Sequence, residues 1–275
     1  MPSTTARQIA LTRRVVRHSV HALRGRDLSL WAAGLTFFSL LAGIPLLIVA
    51  LRGGAVLAGG DAVRSAAADL VAALPDAHDG QGGIPRLVDA ALTCSWVVVL
   101  VALVPATFYG EGLRRGMRQL AGSPVGRMAG WKGRLGFLPV VALGPVFVTL
   151  LVATAPAVRP LYTGPLPGPV WAVIATFHVT WLVVSTVLSL VYTVYSPSGI
   201  PATTTIAAGF GTGAVVAGFL HGFLVFLAIP VDWATPFAGV AVAGTGVALA
   251  LWLYLLHVLV LLGYRVALSA HAVRG

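Results

Sequence analysis

Three histidines lie in long apolar stretches and are the first candidates for chemistry: His178, His221 and His257. Ser185 and Ser189 follow His178 at spacings of seven and eleven residues, which puts them on the same side of an α-helix. Imidazole and hydroxyl groups together can bind a polar solute inside a cavity, or they can hydrogen-bond neighbouring helices and hold a bundle together. Both interpretations stay open. The candidate cavity lining consists of hydrogen-bonding side chains: Thr36, Ser39, His178, Ser185, Ser189 and His221.

The sequence offers little support for catalysis or for a bound metal. It contains no Gly-x-Ser-x-Gly, no phosphate loop and no His-Glu-x-x-His motif. Histidines without cysteine or carboxylate partners are a poor zinc site, and Cys94 is the only cysteine. Glu111 precedes Arg114 and Arg115 by three and four residues, so local ion pairing accounts for it. We therefore expect no enzymatic activity, no metal and no cofactor.

The composition indicates the kind of protein in which these side chains lie. Of 275 residues, 58% are hydrophobic and only 9% are charged, with a mean hydropathy of +0.92. A soluble domain carries about 25% charged residues because its surface faces water. A disordered chain needs low hydrophobicity and high charge. The composition therefore predicts an all-α membrane protein.

Charge-free runs and their prolines predict six transmembrane helices, because about 20 apolar residues cross a bilayer. Proline clusters at 160–169 and at 196–201 divide the longest run, since proline interrupts a helix interior. No predicted span contains an ionised residue, which argues against a proton relay through an intramembrane acid. The membrane domain is predicted over 30–264, with tails at 1–29 and 265–275. The predicted spans are 30–51, 90–110, 136–157, 170–195, 203–229 and 237–263.

The basic residues predict the orientation. An even number of spans places both termini on one side, and 14 of the 18 basic residues fall there with two of the eight acids. The positive-inside rule makes that side cytoplasmic. These basic collars are expected to attract anionic lipid headgroups. They are not interleaved with base-stacking aromatics, so we expect no nucleic-acid binding.

Two amphipathic segments lie outside the predicted spans. The N-terminal tail is typical of a basic surface helix, with Leu11 and Val15 toward lipid. A short outer helix is predicted over 61–74, between the first two spans, with Pro75 ending it.

Glycines in the fifth span predict close helix packing. Two pairs with small-xxx-small spacing allow a neighbouring backbone to approach. The pairs are Gly209 with Gly213 and Gly218 with Gly222.

Three segments resemble the YihY/BrkB family of bacterial inner-membrane proteins. The first runs from Ala32 to Leu47 and includes Pro45, and the second runs from Val191 to Pro201. The third contains Trp252, Tyr254 and Gly263. The resemblance implies six helices, cytoplasmic termini and an envelope function, with transport suspected and an older ribonuclease label regarded as mistaken. The chain departs from that pattern at Tyr264-Arg265, where relatives often carry an acid, and in the loop at 231–236.

The sequence therefore predicts a six-helix inner-membrane protein that transports or handles a small solute or amphiphile. The alternative is a non-transporting envelope scaffold that recruits partners or anionic lipid. A membrane enzyme is a third and weaker interpretation. A polar vestibule reaching His178 would favour transport, whereas a closed bundle with lipid-facing histidines would favour the scaffold.

Overall fold

The computed structural model describes residues 4–73, 83–123, 130–197, 199–227 and 235–274. These residues form α-helices, with one short 3-10 helix at Thr235–Phe237 and no strand, which confirms the all-α prediction. The helices are α1 (Thr4–Leu23), α2 (Leu28–Ala58), α3 (Gly60–Ala73), α4 (Gly83–Thr93), α5 (Trp96–Leu120), α6 (Trp131–Thr163), α7 (Gly168–Tyr195), α8 (Ala202–Leu227) and α9 (Ala241–Arg274).

Six of these helices are long and apolar enough to cross a membrane: α2, α5, α6, α7, α8 and α9. This number agrees with the six predicted spans. Many large apolar side chains on their outer faces are exposed, including Leu100, Val101 and Leu151. A soluble protein rarely exposes so much contiguous apolar surface, so this face is suited to lipid.

The spanning helices pack mostly against their neighbours in the chain. α2 contacts α5, α6 and α9, α5 also contacts α6, and further contacts run from α6 through α7 and α8 to α9. Close approach of α2 and α6 depends on small residues: a Cβ on Gly53 or Gly54 would collide with Pro145 or Val148. Such packing without large side chains is how membrane helices gain van der Waals contact.

The two ends of the bundle differ in what covers them. At the terminal end, α1 packs against the last part of α9, beside the start of α2 and the end of α5. At the opposite end, α3 and α4 pack on α2 and α6 through a small apolar cluster of Val63, Val88 and Leu92.

The helix that contains the first predicted span is longer than the span. Arg52 was expected to end it near residue 51, but α2 continues to Ala58. The guanidinium of Arg52 donates to the carbonyl oxygen of Leu92 and lies 5.2 Å from the centre of the Trp96 ring. Because α4 and α5 supply these partners, the helix tolerates the charge.

The second predicted span, 90–110, does not coincide with one helix. Its first residues belong to α4, the chain breaks at Cys94 and Ser95, and α5 begins at Trp96. Ser95 caps α5 by accepting a hydrogen bond from the Val98 amide, which explains the new start. α5 also continues ten residues past Gly110.

The later predicted boundaries also shift. α6 contains Pro156 and Pro160 and runs to Thr163, where a loop had been predicted from residue 160. α9 begins at Ala241, after the 3-10 turn at Thr235–Phe237, and continues past Gly263 to Arg274. The predicted end of the fifth span, residue 229, lies outside the described residues, as do residues 74 and 75 of the predicted outer helix.

The apolar face of α1 that is exposed differs from the predicted one. Leu11 and Val15 are half-buried and lie on the same face as the buried Ser19. His18, next to this face, shares a 3.1 Å hydrogen bond with Ser269 of α9. The exposed apolar residues of α1 are Ile9, Val16 and Val20.

Candidate functional site

A buried histidine joins three spanning helices. Nε2 of His257, in α9, lies 2.8 Å from the hydroxyl of Tyr109 in α5. Nδ1 of the same ring lies 3.3 Å from Oγ1 of Thr36 in α2 and 2.6 Å from the carbonyl oxygen of Leu253. His257 is only 1% exposed. We call Thr36, Tyr109 and His257 the buried histidine contact.

These partners define the hydrogen-bonding pattern of the ring. A carbonyl oxygen only accepts, so Nδ1 of His257 must carry a proton and donate to Leu253. In the neutral ring Nε2 is then an acceptor, and Tyr109 donates to it. Thr36 donates from Oγ1 to the carbonyl oxygen of Ala32 at 2.9 Å. The contact is therefore complete with a neutral imidazole.

The candidate cavity residues of α2 are engaged within the bundle. Thr36 is 6% exposed and belongs to the buried histidine contact. Ser39 is half-buried and donates to the carbonyl oxygen of Thr36 at 2.8 Å. Both hydroxyl groups thus use their protons on the backbone of their own helix.

Ser185 and Ser189 lie in the close contact between α7 and α8. A Cβ on Gly209 would be 2.6 Å from the Ser189 amide nitrogen, and one on Gly213 would be 2.9 Å from Cα of Ser185. Ser189 donates to the carbonyl oxygen of Ile206 at 3.3 Å. Ser185 is fully buried, and its Oγ has no hydrogen-bond partner among the described residues.

His178 and His221 are away from the buried histidine contact. His178 is exposed on α7, and its Nδ1 lies 2.7 Å from the Ile174 carbonyl oxygen. His221 is half-buried on α8, with Nδ1 2.9 Å from the Ala217 carbonyl oxygen. The Phe177 ring contacts both imidazoles, with its centre 5.7 Å from that of His178 and 5.5 Å from that of His221. The structure therefore does not bring the six cavity candidates to one site.

The second pair of glycines in α8 has a different environment from the first. A Cβ on Gly218 or Gly222 would meet no atom within 4 Å, and both residues are exposed. In this structure the two residues face the surface rather than a neighbouring helix.

Three of the four residues named for the family resemblance, Trp252, Tyr254 and Gly263, lie on α9. Gly263 lies against Thr212 of α8, where a Cβ would be 2.8 Å from the threonine Cβ. The ring of Trp252 packs on Phe219, Phe223 and Phe226 of α8. Tyr254 and, on α2, Pro45 are half-buried. The α9 residues of this motif thus support contact between α8 and α9.

Glu111 forms the ion pairs with Arg114 and Arg115 that its spacing predicts, but it is buried within a spanning helix, which the spacing does not predict. Its carboxylate accepts hydrogen bonds from Nε and Nη2 of Arg114, at 2.9 and 2.8 Å, and from Nε of Arg115 at 2.8 Å. It lies against Gly130 and Gly133 at the start of α6, where any Cβ would collide with it. A helix N-terminus favours negative charge, so this cluster joins α5 to α6.

Two tyrosines bind the backbone of neighbouring helices. The hydroxyl of Tyr192 donates to the Val260 carbonyl oxygen at 2.7 Å, and that of Tyr195 donates to the Gly133 carbonyl oxygen at 2.8 Å. Both side chains are buried in the main apolar core. They link α7 to α9 and to α6.

No group of three or more histidine, cysteine or acidic side chains that could hold a metal occurs in the described part of the chain. Sequence reasoning singled out His257 but missed its link to Thr36 and Tyr109. Nothing in the local pattern around Tyr109 indicates which helix its hydroxyl faces, because that depends on how α5, α2 and α9 meet.

Comparison with known proteins identifies the family. The family model described as virulence factor BrkB matches residues 19–274. No curated protein and no solved structure is similar to the chain at a significant level. The matched range covers nearly the whole chain and includes all six spanning helices, which fits a multi-pass membrane protein. The chain belongs to the virulence factor BrkB family.

Proposed function

We propose that this protein handles an amphiphile, such as a membrane lipid, at the lipid-facing surface of α7 in the bacterial inner membrane. Both termini are placed in the cytoplasm, because the terminal end carries most of the basic residues. No catalytic step, metal or cofactor is proposed, and no nucleic-acid partner. The chemical identity of the amphiphile is left to experiment.

The observation that carries this proposal is the position of His178. It lies on the outward stripe of α7 with Trp171, Ile174 and Leu182, all of which are exposed. Nδ1 of His178 is hydrogen-bonded to the Ile174 carbonyl oxygen, so Nε2, on the other side of the ring, points away from the α7 backbone. Ionisable side chains in spanning helices are costly and are usually functional. A polar group of a bound amphiphile is a suitable partner for Nε2.

The surrounding residues give this surface the mixed character that an amphiphile requires. Thr186 is exposed two turns further along the same stripe. Trp181 packs its ring 6.0 Å from His178 and donates from Nε1 to the Phe210 carbonyl oxygen at 3.0 Å. Apolar rings beside isolated hydrogen-bonding groups suit a chain with a polar head better than a hydrated ion.

A central polar pathway has less support. Thr36 and Ser39 bond within α2, and Ser185 and Ser189 are closed off by α8. We therefore favour an amphiphile over a small hydrophilic solute as the cargo.

The alternative function is a non-transporting scaffold. The complete hydrogen bonds of the buried histidine contact and the backbone links of Tyr192 and Tyr195 favour a rigid bundle. In that case the basic terminal end would recruit partners or anionic lipid, and His178 would merely be tolerated by lipid.

Lipid movement in proteoliposomes distinguishes the two functions. Vesicles with and without the full-length protein carry a fluorescent phospholipid, and a membrane-impermeant quencher reports how fast the lipid crosses the bilayer. We expect the protein to accelerate crossing and His178→Phe, which keeps a ring but removes Nε2, to reduce it. His21→Phe, at an exposed histidine of α1, is the matched control.

Crossing at the rate of protein-free vesicles would contradict amphiphile transfer and favour the scaffold. Equal loss in both histidine variants would contradict the role of His178. Lipid profiling of a deletion strain then identifies which amphiphile accumulates.

A further inference from the structure

Two arginines from distant parts of the chain meet at the C-terminus of α5. Nη1 of Arg26, just before α2, donates to the carbonyl oxygens of Gln119 and Leu120, the latter at 2.7 Å. Nη1 of Arg265, in α9, donates to the same Leu120 oxygen at 3.0 Å. The two guanidinium groups therefore share one acceptor atom and lie side by side.

These two positive charges have no matching acid. No carboxylate lies within 4.0 Å of either guanidinium in the described part of the chain. Arg265 is only 7% exposed, and its Nε has no hydrogen-bond partner among the described residues. A buried charge without a counter-charge is costly, and a single helix terminus offers only about half an elementary charge.

Asp27, the acid that follows Arg26 in the chain, is held at the start of α2. Asp27 accepts hydrogen bonds from Oγ of Ser29 at 2.7 Å and from the Leu30 amide at 3.0 Å. These two bonds lower the pKa of Asp27 and fix its carboxylate as the N-cap of α2. Asp27 is therefore directed to the start of α2, and among the described residues it forms no ion pair with Arg26 or Arg265.

An open pocket of about 710 Å³ lies beside Arg26. Besides Arg26, its lining includes Asp27, whose carboxylate caps α2, and also Trp31, Gln119 and Ser123, which provide an indole, an amide and a hydroxyl group. All three of these groups can donate hydrogen bonds. Arg26 has further N–H groups beyond the one used on α5.

We propose that this pocket binds a phosphate group, carried by an anionic lipid or by a free phosphorylated solute. An arginine fork matches phosphate oxygens, and the side chains of Ser123 and Gln119 complete the donor set. The bound anion would supply the counter-charge for Arg26 and its neighbour Arg265. This inference is independent of whether the protein transfers lipid.

The place of the pocket favours the lipid as the source. It lies where the chain enters α2 and is lined by Trp31, and the preceding residue in the chain, Leu30, is 63% exposed. Tryptophan is enriched at the level of lipid headgroups, so a headgroup phosphate would lie at this depth. Two arms of one experiment separate the lipid from free phosphate.

The experiment measures the melting temperature of the purified full chain in zwitterionic detergent. One arm adds sodium phosphate against sodium chloride at equal ionic strength, and the other adds phosphatidylglycerol against phosphatidylcholine. A ligand that binds the folded state raises the melting temperature with its concentration. We expect phosphatidylglycerol to do so. A comparable rise with sodium phosphate would show that the phosphate group alone is sufficient.

Matched variants test the residues. We expect Arg26→Gln to weaken the apparent affinity about tenfold or more, the usual effect of losing a hydrogen bond to a charged group. Arg24→Gln removes the same charge two residues away from an exposed side chain and should leave affinity unchanged. Ser123→Ala should weaken the affinity several-fold. If Arg26→Gln does not fold, Ser123→Ala tests whether the ligand binds in this pocket.

Two results would overturn the proposal. The first is no rise in melting temperature with either ligand, which would mean that the arginines only cap α5. The second is an affinity that Arg24→Gln lowers as much as Arg26→Gln does, which would indicate general charge attraction.

Discussion

Polar side chains inside the bundle differ in how completely their hydrogen bonds are satisfied. His257 and Thr36 each have partners for their donors, whereas Oγ of Ser185 has none in the described residues. A buried polar group without a partner lowers stability by more than one made hydrogen bond raises it. Removing the hydroxyl of Thr36 is therefore expected to destabilise the fold, whereas removing that of Ser185 is not. This difference is accessible to substitution.

Replacing Tyr109 with phenylalanine tests the buried histidine contact. Tyr109→Phe removes the donor to Nε2 of His257 and leaves a buried acceptor unsatisfied. We expect the free energy of unfolding in mixed micelles to fall by about 1–3 kcal/mol. Tyr162→Phe is the control, since that hydroxyl is bonded to Thr176 at an exposed position and should matter less. Equal effects of the two substitutions would contradict the proposed importance of burial.

Glu111 provides the corresponding test for charge. Glu111→Gln removes the carboxylate that accepts three hydrogen bonds from Arg114 and Arg115. Breaking a buried ion pair by removing one partner costs about 3–5 kcal/mol, so we expect a large drop in the free energy of unfolding. Asp61→Asn, which breaks the solvent-exposed pair with Arg64, should have no measurable effect. A Glu111→Gln protein as stable as the control would show that the cluster contributes little.

At the level of elements, the sequence predicts the existence of each spanning helix better than its ends. Most charge-free runs hold one helix that can cross a bilayer, and proline clusters divide the longest run into two, so the count of six follows from local sequence. The ends depend on distant partners. Arg52 remains within α2 because its guanidinium donates to the Leu92 carbonyl oxygen and contacts the Trp96 ring. Glu111 remains within α5, where its carboxylate packs against the glycines at the start of α6. The sequence around Arg52 or Glu111 does not indicate these contacts with other helices.

The candidate cavity shows the same limit. Helical spacing correctly places Ser185 and Ser189 on one side of α7, but it does not say whether that side faces a cavity or another helix. Gly209 and Gly213 remove the space that a cavity would need, because they bring the α8 backbone against both serines. Helical periodicity therefore predicts which residues share a face of α7, but not which helix or cavity that face contacts.

Paired glycine substitutions test how α7 and α8 pack. A Cβ at Gly213 would be 2.9 Å from Cα of Ser185, so Gly213→Ala should lower the free energy of unfolding by about 1–3 kcal/mol through overpacking. Gly218→Ala adds the same methyl group five residues away where nothing lies within 4 Å. It should be neutral or stabilise by about 0.4–1 kcal/mol, because alanine restricts the unfolded chain. The measurement is unfolding in mixed micelles, and a larger loss for Gly218→Ala would contradict this packing.

For the whole molecule, the distribution of charged residues makes the two ends of the bundle chemically different. The terminal end gathers α1, the C-terminus of α5 and the last turns of α9, with Arg26 and Arg265 between them. The opposite end carries the exposed ion pairs of Arg64 with Asp61 and Asp89. The bundle therefore has one strongly basic end. The positive-inside rule predicts that this end faces the cytoplasm.

Cysteine labelling tests this orientation directly. Cys94 is the only native cysteine, so Cys94→Ala gives a background in which one new thiol reports one end. We expect Asp61→Cys, on exposed α3, to react with a membrane-impermeant maleimide in intact cells whose outer membrane has been permeabilised. His21→Cys, on exposed α1, should react only after the inner membrane is also opened. The reverse pattern would place both termini outside and would require the basic end to face away from the cytoplasm, against the positive-inside rule. Labelling of both positions in intact cells would instead contradict the placement of α1 and α3 on opposite sides, and with it the arrangement of the first spanning helix.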